Sequence, residues 1–417
     1  MPALRLHQAG QKAFHLRIRW RGQQYFREQK NRRWPPPQGL LWRTLPRRTL
    51  SGEFRRMNLK PDIRTIAYEF QIAGDFVSAE SFGSGHINDT YRVIFAYGGG
   101  QHRYILQRLN HTVFPKPLAV MENLQRVTAH LAQKFAGQPD AVRRALALVS
   151  ARDGKFFYHD ATGNFWRVFP FIERTRTVDV VETPAQAFAA AQAFGQFQKM
   201  LADLPTPRLH ETIPDFHHTP KRFAALEKAV AADTGNRATL AKPEIEFALR
   251  HRAICGVLLD ANLPERVTHN DTKINNVLLD AATGAGVCVI DLDTVMPGLA
   301  LYDFGDMVRS MTNPAAENDH DLAKVEMQFP AFEGLLRGYL SSAADFLTPA
   351  EKNLLPVSGA VIAFELGLRF LTDFLNGDVY FKTRRAGENL NRCRAQFKLF
   401  ESIRRQETVM QKLLATV

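Results

Sequence analysis

VTHNDTKINNVLLDAATGAGVCVIDLDTVMPGLALYDFGDMVRSM, residues 267–311, sets two carboxylate centres on either side of a short apolar hairpin. It reads as H-x-D-x-x-x-x-N followed by I-D-x-D. Phosphoryl transfer to a hydroxyl needs a carboxylate that orients and deprotonates that hydroxyl, and Asp271 stands at the centre of the first loop. Asn276 offers an oxygen for Mg2+ on the same loop, and Lys273 a cation to offset charge on the transferring phosphoryl group. Residues 276–279 and 287–290 are predicted strands of one hairpin, whose return brings Asp291 beside Asn276. Asp293 is either a further metal ligand or a residue that fixes the loop. A bare HxD is common by chance; with Lys, Asn and DxD at these offsets the pattern is specific. In the tail, Asp303 or Asp306 is expected to cap the following helix, its carboxylate at the positive end of the dipole. Phe304-Gly305 follows the metal Asp, so it is not the second half of a D-F-G signature.

Working outward towards the N-terminus, residues 63–70 read as an amphipathic helix, and 77–82, 90–95 and 104–109 as strands. Gly83-Ser84-Gly85 lies in the first turn, where glycine lets backbone N–H groups approach a nucleotide's phosphates. His86, Asn88 and Asp89 either form an Asx-type turn or line the cleft and meet the substrate. The third strand has no Lys, so the phosphate-facing residue is Gln107 or Arg108, with Arg108 pairing Glu122 on the helix predicted at 117–135. Alternation allows only one of the two to face the cleft. Strands at 155–159 and 165–171 follow. The second runs into Phe171-Ile172, an inter-lobe hinge whose backbone would hold an adenine edge.

Towards the C-terminus the pattern is helical, at 184–201, 221–233 and 243–259 before the catalytic text and at 356–374 and 389–414 after it. Glu365, Arg369 and Asp373 share one face of an otherwise apolar helix. That stripe is either a solvated charge ladder or an acceptor pocket in which Arg369 and Asp373 bond substrate oxygens and Tyr380 closes over them.

Composition bounds the rest. The chain has 417 residues, 45% apolar and 23% charged, without an apolar run of bilayer-spanning length or a signal-peptide core. Its three cysteines are irregularly spaced, as in a reduced cytoplasmic protein. The net charge of +12 would suggest a nucleic-acid or membrane partner. Residues 1–56, however, hold 14 of the 54 Lys+Arg and two of the 42 acids, and the remaining 40 and 40 cancel. That segment is either a basic arm or the product of a mis-called start, with Met57 the true beginning; the second is favoured. A transit peptide is disfavoured, because Ser51 is its sole serine. The expectation is therefore an α+β, bilobal protein-kinase-like fold: a basic extension 1–56, a small antiparallel-sheet lobe 57–174 and a mostly helical lobe 175–417. A monomer is expected, with no nucleic-acid or membrane partner.

Five stretches, GSGHINDTY (83–91), YILQRLNHTVF (104–114), HNDTKINNVLLD (269–280), VIDLDTVMPGLALYDFGD (289–306) and RFLTDFLNGDVYF (369–381), carry a resemblance. The sequence resembles the aminoglycoside phosphotransferase-like kinase superfamily and, more narrowly, is similar to the N-acetylhexosamine 1-kinases. The resemblance runs from about Met57 to the C-terminus. It implies a cytoplasmic enzyme that uses ATP and Mg2+ to phosphorylate the anomeric hydroxyl of N-acetylglucosamine or N-acetylgalactosamine. On matching positions it implies Asp271 as base, Asn276 and Asp291 as metal ligands and Arg369 as a sugar contact. The superfamily's usual small-lobe Lys is not obvious. A kinase with an aminoglycoside or amino-alcohol acceptor is the alternative, then a non-catalytic nucleotide-binding protein.

Overall fold

The computed structural model describes residues 61–83, 85 and 87–417; the extension at 1–56 and the expected contacts Ser84 and His86 lie outside them. After helix α1 (Ile63–Tyr68), strands β1 (Asp75–Ser81), β2 (Asp89–Tyr97) and β3 (Gly100–Leu109) form an antiparallel meander. Helices α2 (Pro117–Phe135) and α3 (Ala141–Arg144) follow, then β4 (Tyr158–His159) and β5 (Phe165–Pro170). The five strands make one sheet in the order β1-β2-β3-β5-β4. Of the strand expected at 155–159, only the last two residues pair.

Period-two alternation explains how this sheet is used. On β5, Trp166 and Val168 enter a small core with Val93, Phe95 and Leu106. Arg167 and Phe169 point the other way, and Phe169 joins the main core. The sheet therefore has one apolar face on its own core and one face towards the rest of the molecule.

The chain leaves the sheet at Pro170. Strand β6 (Thr175–Arg176) already pairs with β8 (Val277–Asp280), which pairs with β9 (Gly286–Val289). Around this hairpin stand α4 (Pro184–Leu201), α5 (Thr219–Ala232), α6 (Lys242–Arg250), α7 (Ala300–Met311), α8 (Phe329–Ala343), α9 (Pro349–Leu375) and α10 (Glu388–Leu414). Strands β7 (Arg266–Thr268) and β10 (Met296–Gly298) pair with each other and bracket the catalytic text. The helix expected at 243–259 is shorter: α6 ends at Arg250 and gives way to a 3-10 turn, Arg252–Gly256.

Helix α9 also departs from the expectation of 356–374. It begins seven residues earlier, at Pro349, because Thr348 and Glu351 form a capping box, and Pro356 is carried inside it. It is apolar and long enough to cross a membrane, yet 83% of its most apolar window is buried. Helices α4 and α8 pack closely enough that a Cβ on Gly338 would lie 2.2 Å from the Phe188 carbonyl oxygen. Backbone cannot yield as a flexible side chain can, so Gly338→Ala is expected to destabilise the protein by about 1–3 kcal/mol in denaturant titration. A neutral result would show that α8 can shift. The fold is α+β and kinase-like: an antiparallel sheet followed by a mostly helical remainder.

Candidate active site

The loop after β7 is held by buried carboxylates. Asp303, fully buried in the first turn of α7, accepts the N–H groups of His269 (2.9 Å) and Asn270 (2.7 Å) and the Gln198 amide (2.6 Å). Asp306 accepts the Thr272 N–H at 2.8 Å and is paired with Arg309. The expected helix-capping role is corrected here. The N-cap of α7 is Leu299, with no side-chain bond. Asp303 and Asp306 instead point sideways and bind the amides of the catalytic loop. Each charge-assisted bond of this kind contributes roughly 1.5–3 kcal/mol and fixes the loop's path. Asn270, at φ 66°, adopts the left-handed conformation this path requires.

Asp271 emerges from that loop. Lys273 Nζ lies 3.0 Å from its Oδ1, and the Asn276 amide nitrogen donates to its Oδ2 (3.2 Å) and backbone oxygen (2.8 Å). The Asp271 N–H donates to His269 Nδ1 (3.2 Å), so the His269 proton sits on Nε2 and is given to the Ile290 carbonyl (2.9 Å). Burial alone would raise the Asp271 pKa; the adjacent Lys273 ammonium outweighs it and holds the carboxyl below its ordinary value. At neutral pH Asp271 is an anion, able to accept a hydrogen bond from a substrate hydroxyl.

Asp291 behaves oppositely. It follows β9 in a left-handed conformation (φ 59°) and stays open to solvent while protein crowds around it. Burial, then the like charges of Asp293 and Asp271, push its pKa up to about 6. Three carboxylates converge with too little positive charge, the deficit a divalent cation would relieve. Among the described residues no group of three or more His, Cys, Asp or Glu is arranged for a metal ion. The donors present are the Asp291 carboxylate and the Asn276 oxygen, whose amide nitrogen is committed to Asp271. One carboxylate and one amide suit Mg2+, which keeps its remaining positions for water and phosphate oxygens. Removing the Asp291 charge should relieve the repulsion. Asp291→Asn is thus expected to melt higher than wild type without metal at pH 7.5 and to lose any stabilisation by added Mg2+. The sign follows from the raised pKa: the ionised carboxyl is disfavoured by folding, so its cost is present above pH 6 and fades as the pH falls. An unchanged Mg2+ response in thermal melts would count against this site.

Asp293 is 2% exposed, and both its oxygens accept hydrogen bonds. Arg167 grips it with both terminal nitrogens, one at 3.0 Å, and Asn88 donates to its Oδ2 at 2.7 Å. These contacts tie the loop to β5 and to Asn88. Gln107 accepts from Arg167 Nη2 (2.8 Å) and is held by Thr90. The chain from Thr90 through Gln107, Arg167 and Asp293 therefore joins the sheet to the loop that carries Asp291.

Several expectations for the sheet need correction. Arg108 does not pair with Glu122: it lies on the other sheet face and is bound by Asp89, while Glu122 pairs with His210 at 2.8 Å. Gln107 is the cleft-facing member, and the cation beside it is Arg167. Sequence reasoning missed Arg167, although a lone arginine inside the apolar strand FWRVFP was a signal. Asn88 and Asp89 are engaged within the sheet region: Asn88 also accepts the Asn110 N–H (3.0 Å), and Arg108 binds Asp89 Oδ2. Gly83 has φ 84° and open space where a Cβ would be, so conformation and not crowding calls for glycine there. Gly85 lies in the same turn. At the linker, the Phe171 N–H is given to the Arg103 carbonyl (3.0 Å) and the Ile172 carbonyl takes the Thr175 hydroxyl (2.7 Å). Two of the four backbone groups expected to meet adenine are thereby used. The Phe171 ring meets Phe82 edge-on at 5.8 Å, tying the linker to the glycine turn.

The charged stripe on α9 is no solvated ladder. Glu365 is 1% exposed and accepts from His217 and Thr219. Asp373 is not a substrate contact: the N–H groups of Val379, Tyr380 and Phe381 and the Asn389 amide fill its two oxygens. It shapes the turn that brings Tyr380 and Phe381 over Arg369. The Arg369 guanidinium lies 4.8 Å from the Phe216 ring, 5.9 Å from Tyr380 and 5.5 Å from Phe381. Arg222 stands nearby, bound to the Phe216 carbonyl at 2.8 Å, its pKa lowered first by burial and then by the charge of Arg369.

The sequence matches the APH phosphotransferase enzyme family over residues 78–331, more than half of the chain. The chain belongs to this phosphotransferase family. Solved structures share the fold at low identity. A microcompartment-associated aminopropanol kinase aligns over 84% of this chain and 98% of its own, with 16% identity and a TM-score of 0.51. A choline kinase from Cryptosporidium parvum Iowa II aligns over 84% and 96%, with 13% identity and 0.52. Amicoumacin kinase hAmiN, in complex with AMP-PNP, Ca2+ and Ami, aligns over 81% and 92%, with 12% identity and 0.51.

Proposed function

We propose that the protein is an ATP- and Mg2+-dependent kinase that phosphorylates the anomeric hydroxyl of an N-acetylhexosamine. The observation that carries the acceptor class is the pair of guanidinium groups, Arg369 and Arg222, set among Phe216, Tyr380 and Phe381 beside the catalytic loop. A like-charged pair repels an aminoglycoside or an amino alcohol, and its N–H groups suit neutral hydroxyl and acetyl oxygens. The aromatic rings suit the apolar face of a sugar.

Asp271 accepts the hydrogen bond of the acceptor hydroxyl, sets its lone pair towards the γ-phosphoryl group and takes its proton as the new P–O bond forms. Lys273, at 3.0 Å from that carboxylate, is placed to follow the negative charge as it moves onto the transferred group. Asn276 and Asp291 would hold the cation, which would neutralise charge on the nucleotide's phosphates. Gln107 and Arg167 keep the sheet's cleft face polar above them.

A coupled ADP-release assay against hexoses, N-acetylhexosamines, aminoglycosides and choline tests the reading. Turnover is expected with N-acetylglucosamine or N-acetylgalactosamine. Preference for choline or an aminoglycoside would overturn the acceptor assignment and leave the phosphotransferase one standing.

A further inference from the structure

One buried histidine, next in sequence to the Phe216 that packs on Arg369, takes no part in the proton transfer. His217 is 7% exposed, between the rings of Phe216 (4.6 Å) and Tyr302 (5.1 Å). Its Nδ1 lies 2.9 Å from Glu365 Oε1, and its Nε2 lies 3.1 Å from the carbonyl oxygen of Asn270. A carboxylate and a carbonyl accept hydrogen bonds, and a neutral imidazole has only one N–H to give. To satisfy both partners the ring carries two protons.

The second partner is the peptide joining Asn270 to Asp271. Its oxygen faces His217, and its N–H is given to His269 Nδ1 at 3.2 Å. We propose that His217, as an imidazolium held by Glu365, is a positioning residue that fixes this peptide and thereby aims the Asp271 carboxylate at the acceptor hydroxyl. It also links the loop to the acceptor pocket. Phe216, its neighbour in sequence, lies under Arg369, and Glu365 is one turn from Arg369 on α9. The inference rests on the phosphotransferase reading and not on the identity of the sugar.

The charged surroundings support two protons on the ring. Glu365 from α9 and Asp306 from α7 act on the ring, with the Tyr302 ring packed against it; Arg369 from α9 and the Thr219 hydroxyl and Arg222 from α5 surround Glu365. Burial pulls the His217 pKa down, and Glu365 and then Asp306 outweigh it, leaving it raised. Burial likewise opposes ionisation of Glu365, and His217, Arg369 and Thr219 outweigh it. A raised histidine pKa means that positioning is complete below the ordinary value and is lost as pH rises through the folded value.

The test uses the full chain. Nitrogen NMR of 15N-histidine-labelled protein, with His217 assigned by its absence in His217→Gln, is expected to show both ring nitrogens protonated at pH 7.5. Turnover with saturating Mg-ATP and N-acetylglucosamine should then fall on an alkaline limb that moves to lower pH in Glu365→Gln. His217→Gln, which keeps a single donor, should lose kcat on the order of 10²-fold with KM for ATP little changed, and should lack that limb. A neutral His217 ring at pH 7.5, or a limb unmoved in Glu365→Gln, overturns the proposal. Were N-acetylglucosamine not a substrate, ATP hydrolysis to water reads the same limb, so failure of the acceptor reading is distinguishable. Should His217→Gln fail to fold, His217→Asn supplies the assignment, and should Glu365→Gln fail, Glu365→Asp supplies the shifted limb.

Discussion

Asp271→Asn is expected to fold, to bind ATP with near wild-type KM and to lose turnover by orders of magnitude. The substitution keeps the shape of the side chain and an oxygen for the Asn276 amide, which now bonds Oδ2 at 3.2 Å. It removes the charge that Lys273 stabilises and the lone pair that takes the hydroxyl proton. General-base contributions run at about 10²–10⁴-fold, and loss of hydroxyl alignment adds to that. Nucleotide binding should survive, because the groups proposed to meet the phosphates and the cation lie on the sheet and on Asn276 and Asp291. The split is the diagnostic: kcat falls and KM for ATP does not. A kcat within a few-fold of wild type would sink Asp271 as the base, and an equal loss in ATP affinity would reassign it to the nucleotide site.

The second large effect is structural. Arg167 and Asp293 are each 2% exposed and hold one another through two contacts. Removing one partner from a buried ion pair leaves an uncompensated charge and costs about 3–5 kcal/mol. Asp293→Ala is expected to lose that much in urea unfolding, a large share of the net stability of an ordinary domain. Asn88 and Gln107, which share the network, would be left with unmet hydrogen bonds. The double variant Arg167→Met, Asp293→Leu should recover most of the loss, since burying two apolar groups avoids both desolvation costs. Its turnover should remain low, because the sheet would no longer be tied to the loop carrying Asp291. A loss below about 1 kcal/mol in Asp293→Ala would mean that water reaches the pair, as at an exposed salt bridge.

The clustering of Asp271, Lys273 and Asn276 was legible because their spacing is local. Asp271, Lys273 and Asn276 lie within six residues, and a tight hairpin returns Asp291 to Asn276 with no help from distant chain. The glycine turn and the strands flanking it were legible for the same reason: turn chemistry and period-two alternation act over a few residues. The helices of the second half followed from apolar spacing, with ends displaced where a cap such as Thr348–Glu351 outweighed it.

What failed were statements about partners. Arg108 and Glu122 are both present and of opposite charge, yet strand alternation turns Arg108 away and gives Glu122 to His210. Asp303 and Asp306 stand where capping residues stand, but their oxygens are taken by amides that precede them by more than thirty residues. Asp373 looked available to a sugar and is consumed by the turn that follows it. The sequence by itself determined the reaction type, because the reacting groups sit close together in the chain. Only the tertiary structure decided that Arg167 is the buried cation of the cleft and that His217 faces Asn270 and Glu365. Those pairs bridge 126, 53 and 148 residues, and packing alone chooses which faces meet across such distances.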